Sequence, residues 1–371
     1  MRVLFINSRQ DAQLHPGGDT IQMSQTKSAL TSLGLAIEVR SPYDLENLPK
    51  CDLAHIFNIQ EPESAWGAFQ ALQKKGIPTV LSPIYWDLYA YWFELAAKER
   101  PSWRWLVHLF GKRLVEQIYI RWQRMKAPAN SQWQLQKELL SKAQRVLPNS
   151  RSEISLLRQS FDLNRSFEQK VDIVPNAIDT DLYECPPPPS DAFREKYGVQ
   201  DFVLEVGRVY PVKNQLGLIE ALFDLPIPLV FIGQVMELFA DYAEACKAIA
   251  TRRGNVIFID QLPYEELPGI YALAAVHALP SWRETPGLVS LEAAAAGSRV
   301  VTTSIGSARD YFGDQAWYCY PDNLDSIRDA VNAALNAAPS TALRQRVLTQ
   351  YTWQHAAEAT RSSYEKVLNQ I

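Results

Sequence analysis

Cysteine is scarce in this sequence. Its four residues, Cys51, Cys185, Cys246 and Cys319, lie far apart, with no Cys-x-x-Cys among them. That spacing suggests neither a zinc site nor a disulfide framework, and reduced thiols in the cytoplasm are the expectation. Long apolar runs are also missing: nothing approaches the roughly 18 residues that a membrane-spanning helix needs. The opening MRVLFINSRQDAQ turns polar too soon for a signal peptide. Surplus positive charge is absent, since 37 Lys and Arg face 41 Asp and Glu for a net charge of −4. Nucleic-acid binding by bulk electrostatics is therefore not expected. The first strand is not followed by Gly-x-Gly-x-x-Gly, so a dinucleotide fingerprint, and with it a dehydrogenase, is excluded. No His/Cys/Asp ligand cluster is apparent, so neither metal nor cofactor is expected.

What is present is an ordinary globular composition, 47% apolar and 21% charged, over 371 residues. At about 100–200 residues per domain, that length predicts two domains. Short continuous apolar runs recur: Arg2 to Asn7, Ile37 to Val39, Leu53 to Phe57, Thr79 to Ser82 and Val146 to Leu147. After the linker-like prolines Pro186 to Pro189 they resume at Phe202 to Val206, Leu229 to Ile232, Val256 to Ile259, Ala274 to Leu279, Val300 to Thr303 and Trp317 to Tyr320. Runs apolar on both faces and alternating with helical stretches predict parallel, doubly wound sheets. The fold class is thus α/β.

The stretch LPSWRETPGLVSLEAAAAG, Leu279 to Gly297, carries the most chemistry. It predicts a strand, a tight turn and a helix, with Thr285 as N-cap and Pro286 at the first helical position. A helix N-terminus offers unpaired N–H groups and partial positive charge to an anion. Glu284 and Glu292 frame it. Eight residues at ~1.5 Å each separate them by about 12 Å, too far for a glycosidase pair, which needs roughly 5–9.5 Å. That distance suits the two ends of one elongated ligand whose middle is anionic, such as a nucleotide sugar. Gly207-Arg208 and Lys213 close the preceding βα turn, where an arginine fork and a lysine point charge would sit over phosphate.

The Glu284-x7-Glu292 spacing within PSWRETPGLVSLEAAAAG, together with Gly207-Arg208…Lys213, resembles retaining glycosyltransferases of family four, enzymes of polysaccharide and cell-envelope glycan synthesis. The resemblance covers nearly all of the second half and reaches the first half only by architecture. It implies a GT-B fold: two Rossmann-like domains facing a central cleft, with a C-terminal helix crossing back to the first. The expected boundaries are 1–175 with 354–371 for an acceptor domain and 176–353 for a donor domain. It further implies Arg208 and Lys213 on the diphosphate, Gly207, Gly287 and Leu288 close to it, Glu292 on ribose hydroxyls and Glu284 on sugar hydroxyls. Glu284, Arg208 and Lys213 would carry catalysis. The donor would be UDP- or GDP-linked and the acceptor a saccharide or a lipid-linked saccharide. No metal would be essential. A GT-B nucleotide-sugar epimerase and a catalytically silent scaffold share the same architecture.

The first half offers less. Gly17-Gly18 follows the first strand, and in the family such a loop faces the cleft. The histidine that many relatives carry after the fourth strand is missing, which leaves Tyr85, Asp87 or His15 to take its place. Asp179-Thr180-Asp181 is formally a metal-binding pattern, but it falls in a hinge-like segment. Residues 98–126 stand apart from the acidic chain. Eight cations face only Glu99 and Glu116 there, with tryptophan, leucine, isoleucine and phenylalanine between them. Basic residues mixed with aromatics on a helix suit an anionic membrane surface. A protein peripheral to the inner face of a membrane is the expectation.

Overall fold

The computed structural model describes residues 1–9, 17–46, 48, 50–183, 185, 188–338 and 340–370. It divides into two compact units, Met1–Ala177 with Trp353–Ile371, and Ile178–Thr352. His15 lies outside the described residues.

The first unit is built on β1 (Arg2–Asn7), β2 (Ala36–Arg40), β3 (Leu53–Phe57), β4 (Thr79–Ser82) and β5 (Arg145–Val146). All pairings are parallel, in the order β2-β1-β3-β4-β5. Alternate residues of a strand point to opposite faces, so each central strand feeds two cores. Leu4, Ile6, Ala54, Ile56 and Leu81 pack with Ala65, Phe69, Leu139 and Leu157 from three helices. Val3, Phe5, Leu53 and Val80 pack instead with Leu30 of helix Gly18–Ser32 and with Ala357, Tyr364 and Val367 of helix Trp353–Leu368. The final helix is thereby part of the first unit. His55 ties it down: Nδ1 lies 2.6 Å from the Tyr364 hydroxyl and Nε2 2.9 Å from Ser82 Oγ. Burial pulls this imidazole down to about 3, so it works as a neutral hydrogen-bonding core residue.

The second unit is built on β6 (Val203–Val206), β7 (Leu229–Ile232), β8 (Val256–Ile259), β9 (Val276–Leu279), β10 (Arg299–Thr303) and β11 (Trp317–Cys319). The sheet is again parallel, in the order β11-β10-β9-β6-β7-β8. The chain starts at β6 in the middle, winds out to β8, and returns to the other side of β6 at β9. The boundary between β6 and β9 is where the winding reverses, and such sheets bind ligands there, beyond the carboxyl ends of the strands.

Between β4 and β5 run three helices, Tyr89–Glu99, Pro101–Phe110 and Lys112–Lys126, ahead of helix Ser131–Lys142. They enclose a small core of their own, made of Phe93, Ala96, Val115 and Tyr119 with Trp103, Leu106 and Val107 against it.

The turn leaving β4 is fixed by a buried carboxylate. Glu153, in helix Arg151–Phe161, accepts hydrogen bonds from Tyr85 N and Asn149 N, each at 2.7 Å. Removing that acceptor takes a hydrogen bond from two buried N–H groups, at about 1–3 kcal/mol each. Glu153→Ala is therefore expected to lower unfolding free energy by about 2–6 kcal/mol, measured by urea denaturation. An unchanged midpoint would show that these amides have other partners.

Candidate active site in the second unit

The carboxyl end of β6 runs into Gly207, whose φ of 152° favours glycine. Gly233, at the end of the neighbouring β7, passes so close that an added Cβ would lie 2.1 Å from Gly207 O. Beyond Gly207 the chain forms the single turn Pro211–Lys213 and enters helix Gln215–Ala221 through Asn214, itself left-handed at φ 65°. The segment leaving β9 lies alongside. Trp282 N donates to Val212 O at 2.8 Å, and Asn214 Nδ2 donates to Pro280 O at 3.1 Å and to Pro321 O at 2.9 Å. Lys213 Nζ donates to Glu284 Oε1 at 2.6 Å. The two strand ends that flank the winding reversal are thus joined by backbone, amide and ion-pair contacts.

Glu284 is held from the other side as well. Its N–H donates to Ile305 O at 3.2 Å and its carbonyl accepts from Ser307 N at 2.9 Å. Gly306 sits against it at φ 121°, where an added Cβ would lie 2.0 Å from Glu284 O. The Glu284 carboxylate also abuts Gly287, where a Cβ would come within 3.2 Å of Oε2. Here the structure corrects the sequence reading of the helix start. The helix spans Leu288–Ala296 and its N-cap is Gly287 at φ 87°, not Thr285. A left-handed N-cap is a glycine solution, which the Thr-Pro pair masked. Glu292 consequently lies little more than one turn into the helix rather than two.

Glu292 is held by other partners. Tyr264 OH donates to Oε1 at 3.0 Å and Tyr271 OH to Oε2 at 3.2 Å. Burial raises this carboxyl above its ordinary range, and the two hydroxyls oppose that rise. Tyr183 lies close enough for Glu292 to add to the burial that raises its hydroxyl, which among the described residues has no hydrogen-bond partner.

Burial would depress the Lys213 ammonium, but attraction to Glu284, Tyr210 and Glu205 holds it above the usual lysine value. Glu205, the third residue of β6, was not anticipated, although a carboxylate inside the run Phe202-Val203-Leu204-Glu205-Val206 is itself a signal. It is 1% exposed, and among the described residues neither oxygen accepts a hydrogen bond. Burial pushes its carboxyl far up, with Lys213 pulling the other way and Glu284 adding to the rise. Glu205 is accordingly a buried carboxyl whose charged form is disfavoured, close enough to Lys213 and Glu284 to feel both. Arg208, half-buried, lies with its guanidinium carbon 5.8 Å from the Tyr210 ring centroid.

The first unit places its predicted residues differently. Gly17 is the N-cap of helix Gly18–Ser32 in an extended conformation, and Asp19 in the first turn is buried. Asp19 takes Arg9 Nη1 at 2.8 Å and Asn58 Nδ2 at 3.1 Å, a network absent from the sequence reading. Tyr85 is a core residue, its ring 4.9 Å from that of Phe161. Asp87 is buried, with Arg124 at 3.7 Å. In the second unit, Asp179 caps the turn Thr180–Leu182 by accepting from Asp181 N. His277 is packed against Ser290 Oγ at 3.1 Å, and burial lowers it to about 3.

Two parallel doubly wound units with this arrangement define the GT-B fold. Sucrose-phosphate synthase from Thermosynechococcus elongatus superposes over 100% of both chains with a TM-score of 0.77 at 17% identity. Anabaena HepE, solved in complex with UDP-glucose, superposes over 100% of this chain and 97% of its own with a TM-score of 0.63 at 17% identity. Residues 190–349 match the family described as Glycosyl transferases group 1. The matched segment lies within the second unit and contains Arg208, Lys213, Glu284 and Glu292, the residues that carry the resemblance. The D-inositol 3-phosphate glycosyltransferase of Mycolicibacterium smegmatis is 26% identical over 245 residues, 63% of this chain. The match spans 55% of that relative's length.

The glycine contacts are directly testable. Gly297→Ala meets nothing within 4 Å and is expected to cost only the left-handed backbone, about 1–2 kcal/mol. Gly306→Ala drives a Cβ into the Glu284 carbonyl and is expected to cost clearly more. Thermal unfolding of both variants decides, and equal losses would remove the steric role of Gly306.

Proposed function

We propose that the chain is a retaining glycosyltransferase that moves a sugar from a UDP- or GDP-linked donor to a saccharide or lipid-linked acceptor in polysaccharide or cell-envelope glycan synthesis. The observation that carries this reading is the Lys213–Glu284 pair at 2.6 Å across the winding reversal of the second unit. Arg208 lies on the same turn and the N-terminus of helix Leu288–Ala296 beside it. Cations on a strand-to-helix turn next to a helix N-terminus suit a diphosphate. Support for UDP as the nucleotide comes from the HepE complex.

On this reading, the pair neutralises itself in the empty site. The arriving diphosphate takes Lys213, which frees Glu284 to accept from sugar hydroxyls. Glu292 accepts from the ribose hydroxyls, with Tyr264 or Tyr271 giving way. Arg208, Lys213 and the amides of Gly287 and Leu288 then hold the charge that develops on the leaving phosphate, which is electrostatic catalysis. The bond from the anomeric carbon to the phosphate oxygen breaks. A bond to the acceptor oxygen forms on the same face, and the acceptor proton passes to the departing phosphate oxygen. No step calls for a metal. The first unit would take the acceptor, and a lipid-linked acceptor would put the protein at the cytoplasmic face of a membrane.

Calorimetry with UDP tests the assignment. Arg208→Ala and Lys213→Ala are each expected to weaken binding by about 10–150-fold, the value of one charged hydrogen bond. Glu284→Gln should slow transfer more than it weakens UDP, and transfer should persist in excess chelator. Wild-type UDP affinity in both cation variants would overturn the reading.

A further inference from the structure

The helices at 89–126 have more apolar surface than their own core uses. In Lys112–Lys126, Val115 and Tyr119 face that core, while Leu114, Ile118, Trp122 and Met125 form a second stripe at helical spacing. All four are exposed, Ile118 at 53% and Met125 at 74%. The preceding helix does the same: Trp103, Leu106 and Val107 pack inward, while Trp105 at 62%, Leu109 and Phe110 at 57% are in solvent. Trp92 and Leu95 add to the exposed apolar area. Single exposed apolar residues are ordinary, but a concentration of this kind on one subassembly marks a binding surface.

Charge identifies the partner. Arg104, Arg113, Arg121 and Lys126 on these helices, and Arg100 between the first two, are exposed. Lys126 Nζ sits 3.3 Å from the Trp122 ring centroid, so its charge is kept at the edge of the apolar stripe. A protein partner that covered this area would have to match bulky apolar groups and scattered cations together. A bilayer with anionic headgroups does so without any fixed register: rings and aliphatic chains enter the acyl boundary while the cations stay among phosphates. None of the described helices is long and apolar enough to cross a membrane. The longest of the three, at 15 residues, reaches only about 22 Å against a hydrocarbon core of about 30 Å.

We propose that the outward faces of helices Pro101–Phe110 and Lys112–Lys126 dock the protein on an anionic lipid bilayer, lying in the headgroup region without spanning it. The surface deepens the lipid-linked-acceptor reading. Its test needs neither donor nor acceptor, so the two stand or fall separately.

Sedimentation with phosphatidylglycerol–phosphatidylcholine vesicles and with pure phosphatidylcholine vesicles measures it. The wild type should pellet with the anionic vesicles at low salt, be released by high salt, and stay in solution with neutral ones. Each exposed cation removed should lower the partition about fivefold. A variant with Arg100, Arg113, Arg121 and Lys126 changed to Gln should therefore lose binding by well over tenfold. A second variant with Trp105, Phe110, Leu114 and Ile118 changed to Ser should lose it too, with its circular dichroism unchanged because these side chains lie outside the small core. Wild type that stays in solution with anionic vesicles at low salt would overturn the proposal. So would a wild-type dimer that the serine variant makes monomeric without lipid, since the stripe would then be covered by a second copy. If the serine variant does not fold, the salt dependence of the wild type and the glutamine variant decide alone.

Discussion

One ion pair organises the second unit. Lys213 and Glu284 are separated by 71 residues in sequence, yet they meet because β6 and β9 are neighbours across the point where the sheet reverses its winding. The pair is nearly dry, with side-chain exposures of 19% and 7%. A buried ion pair of this kind is a poor source of stability, because removing two charges from water offsets most of their attraction. Its surroundings are correspondingly elaborate. Asn214 and Trp282 stitch the two loops, Gly306 lets the β10 loop press on Glu284, and Gly287 makes room for the carboxylate. So much local constraint around two opposed charges suits a site that exchanges one partner for a ligand better than a fold that merely needs holding.

Glu205 extends that view. Burial disfavours the charged form of its carboxyl, and the Lys213 hydrogen bond goes to Glu284. At the other end of the site the Tyr264 and Tyr271 hydroxyls donate to Glu292.

The parallel strands were legible because residues buried on both faces, such as Val3 to Ile6 or Leu229 to Ile232, leave continuous apolar runs. Spacing singled out Glu284, Glu292, Arg208 and Lys213, but not the partners they meet in the fold. Spacing measures distance along one helix or turn, whereas Lys213 meets Glu284 through the order of strands. Tyr264 and Tyr271 reach Glu292 through a helix packed on a helix, with no local pattern to announce it. The helix start at Leu288 was misread because a threonine before a proline is the stronger local signal than a left-handed glycine. Tyr85 was misplaced for a similar reason, since nothing in the sequence reveals that Glu153 turns it into the core. At 98–126 composition showed a basic aromatic segment. Only the fold shows that its apolar residues divide between an inner core and an outer face. The chain parts at 177/178 and 352/353, where the sequence reading set 175/176 and 353/354.

The central claim is that the Lys213–Glu284 pair is a diphosphate site in its empty state. A crystal structure of the chain with UDP tests it most directly. The account predicts the phosphates beyond the carboxyl ends of β6 and β9, with Lys213 Nζ moved from Glu284 onto a phosphate oxygen and Glu292 on the ribose. UDP bound away from these strand ends, or Lys213 still on Glu284 with no phosphate contact, would contradict it.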